Sequence, residues 1–428
     1  MKNLSVETLC VQGGYDPKNG ETRIAPIYQS TTYKYDDADE VADLFDLNKE
    51  GHMYSRISNP SLEVLEKKIA ALEGGVGAVA TSSGQAANLL AVLSICQNGD
   101  HIVAFNNLYG GTFTLFSSTL KKFGIETTFV DLDWDDEEIE EAIEDNTKLL
   151  FGETLGNPGV RVLDIERFSR LAHRNNIPLI VDNTFPTPYL CRPIEHGADI
   201  VTHSTTKYLD GHGTSVGGII VDSGNFDWGN GKFNCLTDED PNYHGLSYTK
   251  TFKELAYITR ARVVFLRDLG VTMSPFNAFL TNLGTETLAL RMEKHSTNAL
   301  TIARYLEKNP NIEWVNYPLL KSNRDYDLAK KYLKNGASGI ISFGIKGGIE
   351  EGKRFIDSLQ LATLVVHVGD IRTYVLHPAS MTHRQLSKED QIAAGIEENM
   401  IRLSVGIENV DDIMLDLERA IERSQKCR

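Results

Sequence analysis

The chain has 428 residues, 41% hydrophobic and 24% charged, with a formal net charge of −16. That length exceeds one ordinary core and implies two or three domains; the acidity argues against a nucleic-acid partner, because phosphate recognition wants a basic face. No run approaches the ~18 consecutive apolar residues of a membrane span, and Met1–Glu7 lack the apolar stretch of a secretory signal, so a cytoplasmic protein without a membrane partner is expected.

Residues 1–58 are rich in Pro, Gly, Asn and Tyr, with helical spacing only over Ala38–Leu47. Such a segment builds no core of its own and is expected to lie on another surface. At Asn59-Pro60 a helix starts. Leu62, Leu65, Ile69 and Leu72 recur at helical spacing and Gly74 ends the run. Short apolar runs then alternate with helical ones. The predicted strands are Val76–Thr81, His101–Phe105, Glu126–Asp131, Lys148–Glu153, Ile177–Asp182, Asp199–His203 and Val216–Val221. Between them fall predicted helices at Gln85–Cys96, Thr112–Phe123, Glu137–Ile143, Ile165–Arg174 and Arg192–Glu195. This βα alternation predicts an α/β fold with a mostly parallel sheet covered on both faces.

Asp222–Lys250 interrupts the rhythm with Gly, Asn and Asp and reads as a long surface excursion, functional or mobile. Two helices are predicted around Phe265–Leu283 and a long one over Glu286–Leu306. Short strands follow near Trp314–Tyr317, Gly339–Phe343 and Ile401–Val405, and a last amphipathic helix covers Val410–Ile421. These make a smaller C-terminal α+β domain.

Five scattered cysteines form no C-x-x-C pair, and reduced thiols are expected, Cys96 in the core. The histidines, among them His196, His203, His212, His244, His367, His377 and His383, show no metal-ligand spacing, and no metal is expected. Gly75-Val76-Gly77 followed by Ala80 fits a loose dinucleotide pattern, but these glycines follow a helix and enter a strand, the reverse of what that site needs.

Several residues could carry chemistry. Lys207, in Ser204-Thr205-Thr206-Lys207-Tyr208, follows an apolar strand, and a lysine buried there must be paired or covalently engaged. Asp182 ends another apolar strand 25 residues earlier, and a buried carboxylate needs a cation, which a protonated pyridine nitrogen would supply. Ser82-Ser83-Gly84-Gln85 turns from a strand into a helix and could present N–H groups to an anion. Tyr109 could stack on a planar ring, Asn157 could reach a ring hydroxyl, and Arg402 in an apolar run could take a carboxylate. Taken singly, each has a plainer reading: a lysine turned to water, a capping or salt-bridged aspartate, an ordinary turn, a packed tyrosine, an Asn-Pro turn, a structural ion pair.

In combination, Tyr54-Ser55-Arg56, Ser83-Gly84-Gln85, Tyr109-Gly110-Gly111, Glu153 to Pro158, Val181-Asp182, Ser204 to Tyr208, His377 to His383 and Arg402 to Glu408 resemble the Cys/Met metabolism enzymes that depend on pyridoxal 5′-phosphate (PLP). The resemblance implies the fold type I of PLP-dependent transferases. It implies an N-terminal segment at 1–60 contacting a neighbouring subunit, a PLP-binding domain at 61–270 and a C-terminal domain at 271–428. It gives Lys207 as the Schiff-base lysine and proton shuttle, and Asp182 as the partner of the ring nitrogen. Ser83, Gly84, Gln85, Ser204 and Thr206 would bind the phosphate, with Tyr54 and Arg56 reaching a neighbour's site. Tyr109 would stack and act as an acid, Asn157 would contact the ring, and Arg402, with Tyr54 and His367, would bind substrate.

Within the family the chain is most similar to the O-acetylhomoserine sulfhydrylases. Gly111 stands where methionine γ-lyases usually carry cysteine, and Asp238–Leu246 and Tyr257–Asn282 look like the sulfhydrylase branch. His367 stands where relatives usually have Ser or Asn. The implied reaction is γ-replacement of acetate on O-acetyl-L-homoserine by sulfide or methanethiol, giving homocysteine or methionine. The implied assembly is a homotetramer of two dimers with shared active sites. A methionine γ-lyase, cystathionine γ-synthase or cystathionine γ-lyase is the alternative within the same chemistry.

Overall fold

Consecutive apolar positions, as in Ile102–Phe105, are what a strand covered on both faces requires. In the computed structural model, which describes residues 4–382, 384 and 395–426, these runs form the centre of the molecule. His383 and Cys427 lie outside the described residues. The strands are β1 (Gly77–Thr81), β2 (His101–Phe105), β3 (Glu126–Val130), β4 (Thr147–Glu153), β5 (Leu179–Asp182), β6 (Ile200–His203) and β7 (Gly218–Asp222). Among the described residues they form one sheet in the order β1-β7-β6-β5-β4-β2-β3. Strands β2 to β6 run parallel to one another, and β7 is antiparallel to β1 and β6. Alternate side chains enter different cores: Val103, Phe105, Leu150 and Val181 on one face, Ile102, Ala104, Leu149, Phe151 and Ile180 on the other.

A second sheet holds β8 (Ile312–Asn316), β9 (Ile340–Ile345), β10 (Thr363–Leu364), β11 (Tyr374–Leu376) and β12 (Met400–Ser404), in the order β10-β11-β12-β9-β8. The helix Leu288–Leu306 places Leu288, Met292, Ala299 and Ile302 in the same core as Ile341, Phe343 and Leu403, so one apolar interior continues from the first sheet to the second. That continuity brings β12, with Arg402, over the carboxyl ends of β4 to β6. No helix among the described residues is long and apolar enough to cross a membrane.

Two expectations change. Asp222–Lys250 is anchored rather than a free excursion: Trp228, Phe233, Leu236 and Tyr248 are buried beside Leu90 and Ala91, and Trp228 stacks on Tyr257 with ring centroids 5.1 Å apart. These side chains are spaced without helix or strand period, which hid them among Gly, Asn and Asp. The helix expected at Thr112–Phe123 is three short turns, Gly110–Thr114, Leu115–Thr119 in a wide π turn, and Leu120–Phe123 in a tight 3-10 turn. Gly, Thr and Ser supply too little intrinsic helix preference to keep one regular helix there.

Candidate active site

Parallel strands end together at one edge, and the loops leaving their carboxyl ends are where such sheets build sites. Across that edge the register aligns Glu153 of β4, Asp182 of β5 and Thr202 of β6. Because side chains alternate, this row faces one way and the next residues, Thr154, Asn183 and His203, face the other. The lower row is sealed: Thr154 donates to Asn183 at 2.9 Å, and both Asn183 and His203 reach the buried Glu73 carboxylate, at 2.9 and 2.6 Å.

In the upper row Asp182 collects donors. Its Oδ1 accepts from the Thr184 N–H at 3.0 Å and from the Thr184 hydroxyl, and its Oδ2 accepts from the Asn88 amide at 3.2 Å. Asn88 is itself fixed by the Thr202 hydroxyl at 2.6 Å. Asn88 and Thr202 lie far along the chain from Asp182 and meet it only through the fold, whereas Thr184 is two residues on and turns back locally.

Lys207 lies in the turn after β6. Its Nζ is 3.3 Å from His367 Nδ1. Burial, and secondarily the Arg402 guanidinium, bring the amine down to about 8, the way a desolvated lysine beside a second cation becomes a base. Burial, with Lys207 adding to it, lowers His367 to about 4, so its ring is neutral. Buried Arg291 holds the turn by donating to the carbonyls of Tyr208 and Gly284, both at 2.7 Å.

Ser83 caps the helix Gly84–Leu93 by accepting from Ala86 N–H at 3.1 Å. A Cβ on Gly84 would stand 2.6 Å from the Ser204 Cβ, so only glycine lets the helix start and the β6 turn approach this closely. Gln85 accepts from Thr112 at 3.2 Å. Thr206 is tied to Gly217, donating to its carbonyl at 3.1 Å and accepting from its N–H at 3.0 Å. Tyr109 presents an exposed ring, and its N–H donates to Glu153 at 2.7 Å. A Cβ on Gly111 would sit 2.6 Å from that ring.

Arg402 donates to Asn157 Oδ1 at 3.1 Å, while its Nε is buried without a partner in the chain. Burial lowers the guanidinium to about 10. Asn157 thus faces Arg402 in this structure. Arg56 lies over the Tyr54 ring and donates to the Arg267 carbonyl; neither Tyr54 nor Arg56 hydrogen-bonds to the Lys207 cluster in the same chain. Among the described residues no group of three or more His, Cys, Asp or Glu could hold a metal ion.

Residues 7–422 match the family described as Cys/Met metabolism PLP-dependent enzyme. The chain belongs to that family. It is 50% identical over 431 residues to an O-acetyl-L-homoserine sulfhydrylase of Leptospira meyeri, covering 98% of this chain and 97% of that protein. It is 47% identical to a homocysteine synthase of Schizosaccharomyces pombe, covering 97% and 98%. Its fold is similar, at a TM-score of 0.95 and 42% identity, to a Campylobacter jejuni protein solved under the name O-acetylhomoserine (thiol)-lyase, covering 98% of this chain and all of that one. That protein carries a pyridoxyl-lysine phosphate.

The family's cofactor is PLP, and the residues here fit it. Gly84 opens the helix without a side chain of its own and with the Ser204 hydroxyl close by, which suits a phosphate at the helix start. A carboxyl group that already accepts three hydrogen bonds suits a protonated ring nitrogen. An amine of lowered basicity stands within the same set of strand ends.

Proposed function

We propose that this chain catalyses γ-replacement on O-acetyl-L-homoserine, with sulfide or methanethiol as acceptor, giving homocysteine or methionine and acetate. The observation that carries the reading is Lys207: a partly buried amine at about 8 beside Arg402, in a chain similar over nearly its full length to proteins named for this reaction. Bound there, PLP supplies the electron sink that makes protons at Cα and Cβ of an amino acid removable.

The chain's own groups then divide the work. Lys207 carries the cofactor and, once freed, takes and returns protons at Cα and Cβ; a basicity near 8 suits a base working at neutral pH. Asp182 keeps the ring nitrogen charged. N–H groups of Gly84 and Gln85, the Ser83 cap and the hydroxyls of Ser204 and Thr206 hold the phosphate. Arg402, whose Nε has no partner within the chain, binds the substrate carboxylate. Tyr109 stacks on the ring and gives a proton at the Cγ leaving group. Asn157 and His367 flank Arg402 and Lys207.

Tyr54 and Arg56 serve the site of a neighbouring subunit, and the chain works as a cytoplasmic homotetramer of two dimers. Residues 1–60 form the contacting segment, 61–270 the PLP-binding domain and 271–428 the C-terminal domain. Gly111, pressed against Tyr109, favours replacement over the lyase alternative, because a side chain there would displace the ring. The test is a steady-state comparison of O-acetyl-, O-succinyl- and O-phosphohomoserine with sulfide, set against methionine alone. The acetyl ester is expected to be preferred; methanethiol and 2-oxobutyrate from methionine as the main activity would refute the assignment.

A further inference from the structure

Glu153 has no role in the scheme above, yet it contacts two separate loops of the site. It ends β4, 5% exposed, and stands in register beside Asp182 on the neighbouring parallel strand, so the two carboxyl groups share one face. Its Oε1 accepts from the Tyr109 N–H at 2.7 Å, and its carboxyl also takes the backbone N–H of Asn157. Tyr109 is the residue just before the helix Gly110–Thr114, so fixing its N–H fixes where its ring stands. Asn157 in turn meets Arg402 at 3.1 Å. One buried carboxyl therefore links the stacking ring, the support of the carboxylate-binding arginine and the partner of the ring nitrogen.

Two carboxylates side by side, one buried and one partly buried, disfavour ionising together, and the more buried one gives way first. Asp182 has an N–H, a hydroxyl and an amide directed at it, and under the proposed function it would face the charged ring. We propose that Glu153 is a positioning residue of this active site, an uncharged acid that sets the places of Tyr109 and Asn157 through their backbone N–H groups. Burial first, and Asp182 second, push its carboxyl well above the usual carboxylate range, which agrees. The inference rests on the reading of Tyr109, Asn157 and Asp182 given under the proposed function.

The experiment uses the holoenzyme and three variants: E153L, E153Q and E153D. The readouts are kcat and KM, the circular dichroism of the bound cofactor and the rate of cofactor loss on dialysis. Cofactor attachment to Lys207 is first verified in the wild type; without it, both the site reading and this proposal fall together. With it in place, E153L should lower kcat about tenfold or more, weaken the cofactor dichroism and speed cofactor loss. E153Q, neutral and of equal reach, should restore all three to within about threefold of wild type. E153D keeps an acid but falls one methylene short of Tyr109, and should rank below E153Q. If E153L fails to fold, the order of E153Q and E153D decides. E153L matching wild type, or E153D outperforming E153Q, would overturn the proposal while leaving the Lys207 assignment intact.

Discussion

Replacing Lys207 with methionine in the cofactor-free protein should make the fold more stable at neutral pH. A lysine held at about 8 instead of 10.5 in the folded chain carries roughly 3 kcal/mol of unfavourable charge when protonated, each tenfold change being about 1.36 kcal/mol. Methionine fills the volume of the lysine stem without the charge, but leaves His367 Nδ1 without its partner at 3.3 Å, a cost of about 1 kcal/mol. The net gain is about 2 kcal/mol. At about 2.1 cal/mol/K per residue, a chain of 428 residues unfolds with about 0.9 kcal/mol/K, so the gain raises the melting temperature by about 2 °C. The pH dependence has a definite sign. The unfolded chain keeps the Lys207 proton up to about 10.5 and the folded chain only to about 8, so in that window the unfolded state binds more protons and wild-type stability rises with pH. Thermal melts of the two apoproteins at several pH values are the assay. Lys207→Met should melt higher at pH 7, and the gap should close and reverse as pH rises from about 8 towards 10.5. A variant less stable than wild type at pH 7, or a gap that ignores pH, would show that the amine is not held in a desolvated site.

Other substitutions test the surrounding parts. Asp182→Asn should leave the fold intact but cut turnover by about a hundredfold or more, because the ring charge loses its counterion; absorbance titration of the holoprotein and kcat read the two effects. Arg291→Met leaves the buried carbonyls of Tyr208 and Gly284 without their donors, about 1–3 kcal/mol each, partly offset by removal of a desolvated cation, so a net loss of about 1–3 kcal/mol is expected in denaturant melts. Glu73→Ala strips His203 and Asn183 of their shared acceptor under the strand ends, with a loss of the same order in the same assay. His367, at about 4, is uncharged above that pH, so His367→Asn should leave the acidic limb of kcat/KM unmoved; a shift between pH 6 and 7 would show that a charged imidazole takes part.

How much of this was legible in the sequence depends on whether a signal was local. The strands His101–Phe105 and Ile165–Arg174's helix match their apolar spacing residue for residue. The remaining strands of the first sheet are displaced by one or two residues, as frayed ends produce. Lys207 and Asp182 were readable because a charged residue ending an apolar strand violates the pattern around it. Asn88 was not, since it is an ordinary helical residue until the fold sets it beside Asp182, and Glu153, though it ends an apolar strand within one of the motifs, gains Asp182 as a neighbour only through strand pairing. The helix Ile349–Ser358 and the short strands β10 and β11 were missed as well; strands of two or three residues carry too little alternation to be seen. The aromatic anchors of Asp222–Lys250 were hidden for the same reason: what binds them together is tertiary contact, not period.

The account depends most on where the vitamin B6 aldehyde is attached. Borohydride reduction of the purified holoprotein, followed by proteolysis and mass spectrometry, measures that directly. A phosphopyridoxyl group on the peptide containing Lys207, and on no other lysine, is the outcome expected; the group on a different residue, or absent altogether, would contradict it.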